Sequence, residues 1–320
     1  MKSLLPRLLV LFFGVFFSLA IQSQSYPTKP LRMVVTFPAG GPLDIVARMI
    51  SGKLGEALGQ SVIIDNRGGA GGTIGIEHVT KSAPDGYTFV LSSTALGIFP
   101  HVYANLPFDV LRDLAPVSLV STTPELMVVH PSIPAKNANE LVALAKAKPG
   151  ELNGASTGSG GLPHLALELF KLATGAQIVH VPFGGAAPAL TNTLGGHTQI
   201  MVADVPVLLA HVQTQKLRAV GTTSHTALLP EVLSFSEQGI GKVDAANWYG
   251  IFLPGKTPRE IIDKLNVALN KALSDKDLRE RMVSRGADPS PGTSEQLGAL
   301  LKSDFIKWGP VVKAAHVKVD

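Results

Sequence analysis

The chain has 320 residues, 45% of them hydrophobic and 16% charged, with 28 Lys and Arg against 24 Asp and Glu for a formal charge of +4. That length favours two domains, and scattered basic residues at so low a net charge argue against a nucleic-acid partner. The chain contains no cysteine, which removes thiol nucleophiles, thiolate metal sites and redox pairs and leaves core burial as the source of stability.

Lys2 and Arg7, followed by the apolar run Leu8 to Leu19, read as a secretory signal peptide over residues 1–25, cleaved after Ala20 or after Ser25. The run falls short of the roughly 20 residues a spanning helix needs, and no cysteine follows either site to carry a lipid. Leu31–Phe37 predicts a buried strand. Ile45 to Leu58 predicts a helix, with Ile45, Met49, Ile50, Leu54, Ala57 and Leu58 at helical spacing. Between them, Phe37-Pro-Ala39-Gly40-Gly41-Pro-Leu-Asp44 leaves backbone N–H groups uncovered at a helix start, an anion site that needs no basic side chain.

Further strands are expected at Val62–Asp65, Thr88–Ser92, Leu126–Val129, Ile178–Val181, Gln199–Val202 and Arg218–Thr222. Ser156-Thr157-Gly-Ser159-Gly160-Gly-Leu-Pro163 opens a second helix in the manner of the first loop, with His164 in its first turn. Asn137 with Glu140, Thr257-Pro-Arg-Glu260 and Thr293-Ser-Glu-Gln296 carry N-cap patterns. Such alternation predicts an α/β fold with mostly parallel sheets. Ser121-Thr-Thr-Pro124 and Gly239 to Asn247 interrupt it and predict two crossings between domains. Residues 26–122 with 247–320 would form one domain and 123–246 the other, a double connection that restricts motion to opening and closing of a cleft. Trp248 and Tyr249 are expected to pack this hinge.

Several motifs suggest chemistry. Gly250-Ile-Phe-Leu-Pro-Gly255-Lys256-Thr257 matches the P-loop formula, but its middle residues are a strand and Pro254 has no N–H for phosphate, so it reads as strand, turn and capped helix. Gly154-Ala-Ser156-Thr-Gly158 matches a nucleophile elbow, with Asp204 and His211 or His225 in the order of a triad. An exported α/β hydrolase using Ser156 is therefore the alternative reading, although the inserted Ser159–Pro163 makes a broad, donor-rich loop instead of a sharp turn. Asn66-Arg-Gly-Gly-Ala-Gly-Gly-Thr-Ile-Gly75 lacks the spacing of a dinucleotide fingerprint, and its glycines suit close approach of a turn to the cleft or to the other domain. The 9 histidines show no metal spacing, so no metal and no cofactor is expected. His164 suits either a ligand-facing or a structural place. Asp204 could receive a ligand ammonium or cap the helix from Val205.

An ordered series of short motifs carries a resemblance. Tyr26-Pro-Thr-Lys-Pro-Leu-Arg32, Phe37-Pro-Ala-Gly-Gly41 with Asp44, Asn66-Arg-Gly-Gly-Ala-Gly-Gly72 and Pro84-Asp-Gly-Tyr-Thr88 begin it. Gly158-Ser-Gly160 with His164, His180-Val-Pro-Phe183, Ala187-Pro-Ala-Leu190, Gly195-Gly196 and Trp248-Tyr-Gly250 continue it. The set resembles the Bug-type extracytoplasmic solute receptors of tripartite tricarboxylate transporters, from about Tyr26 to the C-terminus. The resemblance implies a monomeric periplasmic binding protein, type II-like, with a hinged cleft. It would clamp a small carboxylate (a di- or tricarboxylate, acidic amino acid or aromatic acid) and deliver it to integral-membrane permease subunits. It further implies a ligand wall at Phe37, Ala39, Gly40, Gly41 and Asp44, which acts through backbone groups and ordered water, with Ser92, Ser93 and Thr94 beside it. Ser156, Thr157, Ser159, Gly160 and His164 would form the facing wall, joined by Asp204. The family commonly has Lys where this chain has Gly184.

Overall fold

The computed structural model describes residues 26–241 and 243–319, so the expected leader and both cleavage positions lie outside the described residues. The chain begins with β1 (Leu31–Val35), α1 (Pro42–Leu58), β2 (Val62–Asn66), α2 (Thr73–Thr80), β3 (Thr88–Ser93), α3 (Ala95–Val102) and β4 (Leu114–Thr123). Pro124 alone separates β4 from β5 (Glu125–Val129), which opens a second sheet. There follow α4 (Ala138–Ala147), β6 (Leu152–Ser156), α5 (Leu162–Thr174), β7 (Ile178–Pro182) and α6 (Ala186–Leu194). Then come β8 (Ile200–Asp204), α7 (Val205–Gln213) and β9 (Arg218–Thr222). The chain returns to the first sheet with β10 (Asn247–Pro254), α8 (Arg259–Leu273), α9 (Lys276–Val283), β11 (Asp288–Pro289) and α10 (Ser294–Ala314).

The strand orders are β11-β4-β10-β3-β1-β2 and β7-β6-β8-β5-β9. Both sheets are mixed. Parallel ladders between strands run among β1–β3 and among β6–β8, where helices carry the chain back across the sheet. Strand β10 arrives from the other sheet and runs antiparallel to both β3 and β4. Strand β5 follows β4 without a helix and runs antiparallel to β8 and β9.

Local chemistry explains most element ends. Helix α1 starts at Gly41 with Pro42 in its first turn, and stops at Gly59, which adopts the left-handed conformation a side chain would resist. Its buried face is Leu43, Val46, Ala47, Ile50 and Leu54. The face is rotated from the one expected, sharing Ile50 and Leu54 but leaving Ile45, Met49, Ala57 and Leu58 half-buried. Asn137 caps α4 by accepting the Glu140 N–H, and Thr293 with Gln296 forms a reciprocal capping box on α10. Thr257 does not cap α8. Pro258 takes that position, and the Thr257 hydroxyl donates to the Pro254 carbonyl instead.

The first sheet is covered on one side by α1 and α8, where Leu31, Met33, Val35, Leu265 and Leu269 meet, and on the other by a cluster around Val34, Val90, Trp248 and Phe252. The second sheet has its own apolar layers, one holding Leu141, Leu165, Phe170 and Ile200. That layer also contains Ile98, Val102, Trp308 and Val312 from α3 and α10, so those two helices touch the cores of both sheets. Trp308 is fully buried there, and a side chain of this kind contributes about 2–3 kcal/mol through burial.

Candidate functional site

The first loop runs from the end of β1 to the start of α1. Gly40 has φ of +83°, which allows the chain to turn back before Gly41 opens the helix. The Gly40 N–H is already taken: it donates to Asp44 Oδ2 at 2.9 Å. The same carboxylate accepts from Arg48 Nε at 2.8 Å, while Asn66 Nδ2 donates to Asp44 Oδ1 at 3.0 Å and to the Phe37 carbonyl at 3.2 Å. Burial raises the Asp44 pKa, but Arg48, the Gly40 N–H and Asn66 outweigh it and hold the carboxyl below the usual range. Asp44 is therefore a brace that fastens the loop to β2.

The second loop repeats this device. Gly161 opens α5 as Gly41 opens α1, and the Gly160 N–H donates to His164 Nδ1 at 3.1 Å, again four residues ahead. That bond leaves the proton on His164 Nε2, 3.7 Å from Glu168 Oε1. The His164 ring stacks on His180 with centroids 3.6 Å apart. Ser156 is fully buried, and its Oγ lies 2.6 Å from His180 Nε2 and 3.1 Å from the Gly158 carbonyl. Burial, and then the neighbouring His164, pushes His180 down to about 3. The nucleophile-elbow match therefore describes an inaccessible serine bonded to its own loop, and its histidine neighbour is neither His211 nor His225.

The two loops face one another across a cavity of about 100 Å³, several times the space one water needs. Phe37, Ala39 and Gly41 line it from the first loop, and Thr157, Ser159 and Gly161 from the second. Among the described residues, the N–H groups of Ala39, Thr157, Ser159 and Gly161 bond to no protein acceptor. A third helix start, Gly184-Gly185 ahead of α6, completes the wall. Leu43, Phe99, Leu162 and Pro163 supply apolar surface, and no Lys, Arg or His stands among the lining residues. The polar end is formed by Ser93, Asp204, Asn247 and Tyr249. Asp204 accepts from the Tyr249 hydroxyl at 2.5 Å and from Asn247 Nδ2 at 2.9 Å, which ties β8 of one sheet to β10 of the other.

Of the residues proposed for a ligand, Phe37, Ala39, Gly41, Ser93, Thr157, Ser159 and Asp204 come together around the cavity. The others stand behind it. Gly40, Asp44, Gly160 and His164 brace the loops, and Ser156 anchors the second one. Ser92 is buried beside Gly250 in the sheet, and Thr94 Oγ1 accepts the Trp248 N–H. Asp204 stands at the N-cap position of α7 but makes no side-chain capping bond, because its oxygens are engaged by β10. Gly71, from the glycine-rich turn expected near the cleft, also lines the cavity, whereas Phe99, Gly185, Asn247 and Tyr249 were not expected there. Trp248 does pack internally, donating its indole N–H to Asp304 at 2.6 Å, whereas Tyr249 reaches the cavity. Alternation along β10 carried the missing signal: neighbours on a strand point to opposite faces. Among the described residues no group of three or more His, Asp or Glu is placed to hold a metal.

Comparison with known proteins places the chain in context. A family model described as "Tripartite tricarboxylate transporter family receptor" matches residues 46–317. The protein BugT of Bordetella pertussis is 35% identical over 315 residues, covering 96% of this chain and 97% of that protein. Among solved structures, R. palustris Rpa4515 with adipate is 30% identical with a TM-score of 0.87, covering 92% of this chain and 99% of that one. The periplasmic binding protein BugD is 31% identical with a TM-score of 0.86 at the same coverage of 92% and 99%.

Proposed function

The chain belongs to the tripartite tricarboxylate transporter receptor family, and from that premise we propose that it captures a small carboxylate in the cavity between its glycine loops and hands it to a membrane permease. The family consists of periplasmic solute-binding receptors and not of enzymes. One observation supports the reading above the rest: three glycine-opened helix starts converge on one apolar-walled cavity whose lining offers unpaired N–H groups and no basic side chain. Helix starts with free donors are anion sites in their own right. The adipate held by the similar R. palustris protein is an anion of the same kind.

In this reading the Phe37–Asp44 loop and the Ser156–His164 loop belong to two lobes, 26–122 with 247–320 and 123–246. The lobes close on the ligand about the crossings at Pro124 and Asn247. Lining residues Ala39, Gly41, Thr157, Ser159 and Gly161 make the contacts, and Asp44 and His164 keep their loops in shape. Each charge-assisted bond from an N–H to a carboxylate contributes about 1.5–3 kcal/mol. A ligand touching both lobes only when they are closed favours the closed form by that difference. The mature receptor, freed of its leader after Ala20 or Ser25, works as a monomer beside integral-membrane subunits.

Mass spectrometry of small molecules released on denaturing the purified protein should identify a carboxylic acid. The same acid should raise the apparent unfolding free energy by about 2.7 kcal/mol at a hundred times its Kd. A broad panel of organic acids that leaves the melting temperature unmoved would sink the proposal.

A further inference from the structure

Behind the polar end of the cavity lies a side chain that the ligand contacts do not account for. Glu125 opens β5, is 0% exposed, and directly opposes Asp204 across the antiparallel β5–β8 pair. Neither of its carboxyl oxygens meets a donor among the described residues, so a bond between Glu125 and Asp204 needs a proton on one of the two carboxyls; Asn247 Oδ1 is also unpaired and buried. The Asn247 amide cannot turn to serve Glu125 without losing its bond to Asp204, since only its Nδ2 donates.

Few groups face the pair. Strand β10 brings the Tyr249 hydroxyl and the Asn247 amide, and β4 brings Thr123, opposite Asn247. Strand β9 brings Thr222, opposite Leu126, while Thr223 accepts the Glu125 N–H. Helix α7 presents its N-terminus to Asp204. Tyr249 is the one other titratable side chain acting on the two acids, and no Lys, Arg or His of the described residues does so.

Two buried carboxyls in opposition cannot both ionise without a cation between them. Asp204 has two donors and a helix start to stabilise its charge, whereas Glu125 has none. The charge therefore belongs on Asp204 and the proton on Glu125, the two titrating as a unit. Burial, and next the Asp204 charge, drives Glu125 well above the ordinary carboxylate range. Burial raises Asp204 as well, opposed by its bonds to Tyr249, Asn247 and Glu125.

We propose that Glu125 is a positioning residue of the binding site: it holds one proton against Asp204, keeps this end of the cavity at a single negative charge, and makes acid capture depend on that proton. The dependence on acid capture rests on the receptor reading above; the proton does not. Losing the proton places a second negative charge behind Asp204, which repels an entering carboxylate and strains β5 against β8 where the chain crosses between sheets.

Thermal unfolding of the ligand-free protein and of Glu125→Gln from about pH 5 to about pH 9 tests the proton. A carboxyl raised in the folded state means the folded chain holds more protons than the unfolded one, so stability falls as pH rises from the usual carboxylate range to the raised titration. Wild type should lose melting temperature relative to Glu125→Gln as pH rises; a constant difference across the range overturns the proposal. Calorimetric titration with adipate, malate and benzoate as probes tests the coupling. Wild-type affinity should fall about tenfold per pH unit above the titration of the pair, while Glu125→Gln binds alkaline samples as wild type binds acidic ones. Affinity of wild type that ignores pH overturns the coupling. If no acid binds, the receptor reading fails together with the coupling, and the ligand-free scan still decides the proton. Should Glu125→Gln not fold, wild-type binding in two buffers of different ionisation enthalpy reports the same linkage: proton uptake is expected at alkaline pH, and none at any pH is the contrary result.

Discussion

Asp44 and His164 stand at equivalent places in two different loops, and each spends its side chain on the N–H of the glycine four residues before it. Neither lines the cavity. Their effect on binding is therefore indirect, through the shape of the loop that carries Ala39 or Ser159. Replacing Asp44 by Ala leaves the Gly40 N–H, the Asn66 amide and Arg48 without their shared acceptor. We expect a loss of about 1–3 kcal/mol, from the charge-assisted bonds that the buried carboxylate makes to exposed or half-buried donors, together with weaker acid binding. Denaturant unfolding and calorimetry on the same variant would measure both. The pH dependence has a definite sign. The Asp44 pKa is lowered on folding, so its contribution is present above the ordinary carboxylate range and disappears as pH falls through the folded value. The Asp44→Ala deficit should shrink in acid, and a deficit that is constant with pH would show the carboxylate charge to be irrelevant. Ser156 presents the opposite case. Its Oγ is fully buried and turned toward Gly158 and His180, so Ser156→Ala should cost about 1 kcal/mol of stability and leave the ligand Kd nearly unchanged. A large rise in Kd at unchanged stability would place the hydroxyl on the ligand after all.

At the level of helices and strands, the starts of α1 and α5 were legible because glycine and proline punctuate them in the sequence, and most strands showed as apolar runs. Strand β4 runs further than its apolar residues suggest: Ser121-Thr-Thr-Pro124 reads as a break after an apolar strand, yet the strand spans Leu114–Thr123 and Ser118, Ser121 and Thr123 are all buried. Their burial depends on β10, β11 and α8 arriving from more than a hundred residues away, and no local pattern encodes that. The wall formed by Gly184-Gly185 and α6 is hidden from the sequence for a related reason: Gly184 stands out as a departure from the family's usual Lys, but whether it faces ligand or solvent depends on the sheet order, which places it at the cavity. That wall carries a further prediction. A side chain at Gly184 meets nothing within 4 Å, its backbone is not in the left-handed region, and it borders a cavity without basic residues. Gly184→Lys should fold with little loss of melting temperature. It should also shift preference toward acids bearing a second carboxylate, by about tenfold for one new charge-assisted bond. Parallel titrations of adipate and benzoate would read the ratio, and a ratio equal to that of wild type would put this side chain out in solvent.

Across the whole molecule, the proposed closing motion would be both guided and limited by the way the chain joins the two sheets. The chain passes between the sheets at Pro124 and again before Asn247, and those two points sit beside the Asp204–Asn247–Tyr249 bonds that form the floor of the cavity. Asp204 pairs with Glu125 next to Pro124, and Asn247 and Tyr249 open β10, so these bonds sit at the crossings and a rotation about the crossings disturbs them less than it separates the glycine loops. Helix α10 opposes free rotation, since Trp308 and Val312 pack in the core of the second sheet while Leu297 and Leu301 pack against the first. Opening must therefore slide or tilt this helix, which favours a small, guided movement over independent tumbling of two lobes. The absence of cysteine from the native chain makes the motion directly measurable. Ile74 is exposed in the first turn of α2, next to the cavity-lining Gly71, and Thr191 is exposed on α6, one turn beyond Pro188 on the opposing wall. Cysteines introduced at these two positions and labelled with a donor and an acceptor dye should bring the dyes closer when the ligand is added, because an acid bridging the loops stabilises the closed form over the open one. The same pair carried on Asp44→Ala should need more ligand for half of the change while reaching the same end point, since a loosened loop lowers affinity without altering the closed shape. Transfer efficiency that stays constant through saturation, with binding confirmed calorimetrically in the same sample, would mean that the acid enters a cleft already shut and would overturn the proposed closure.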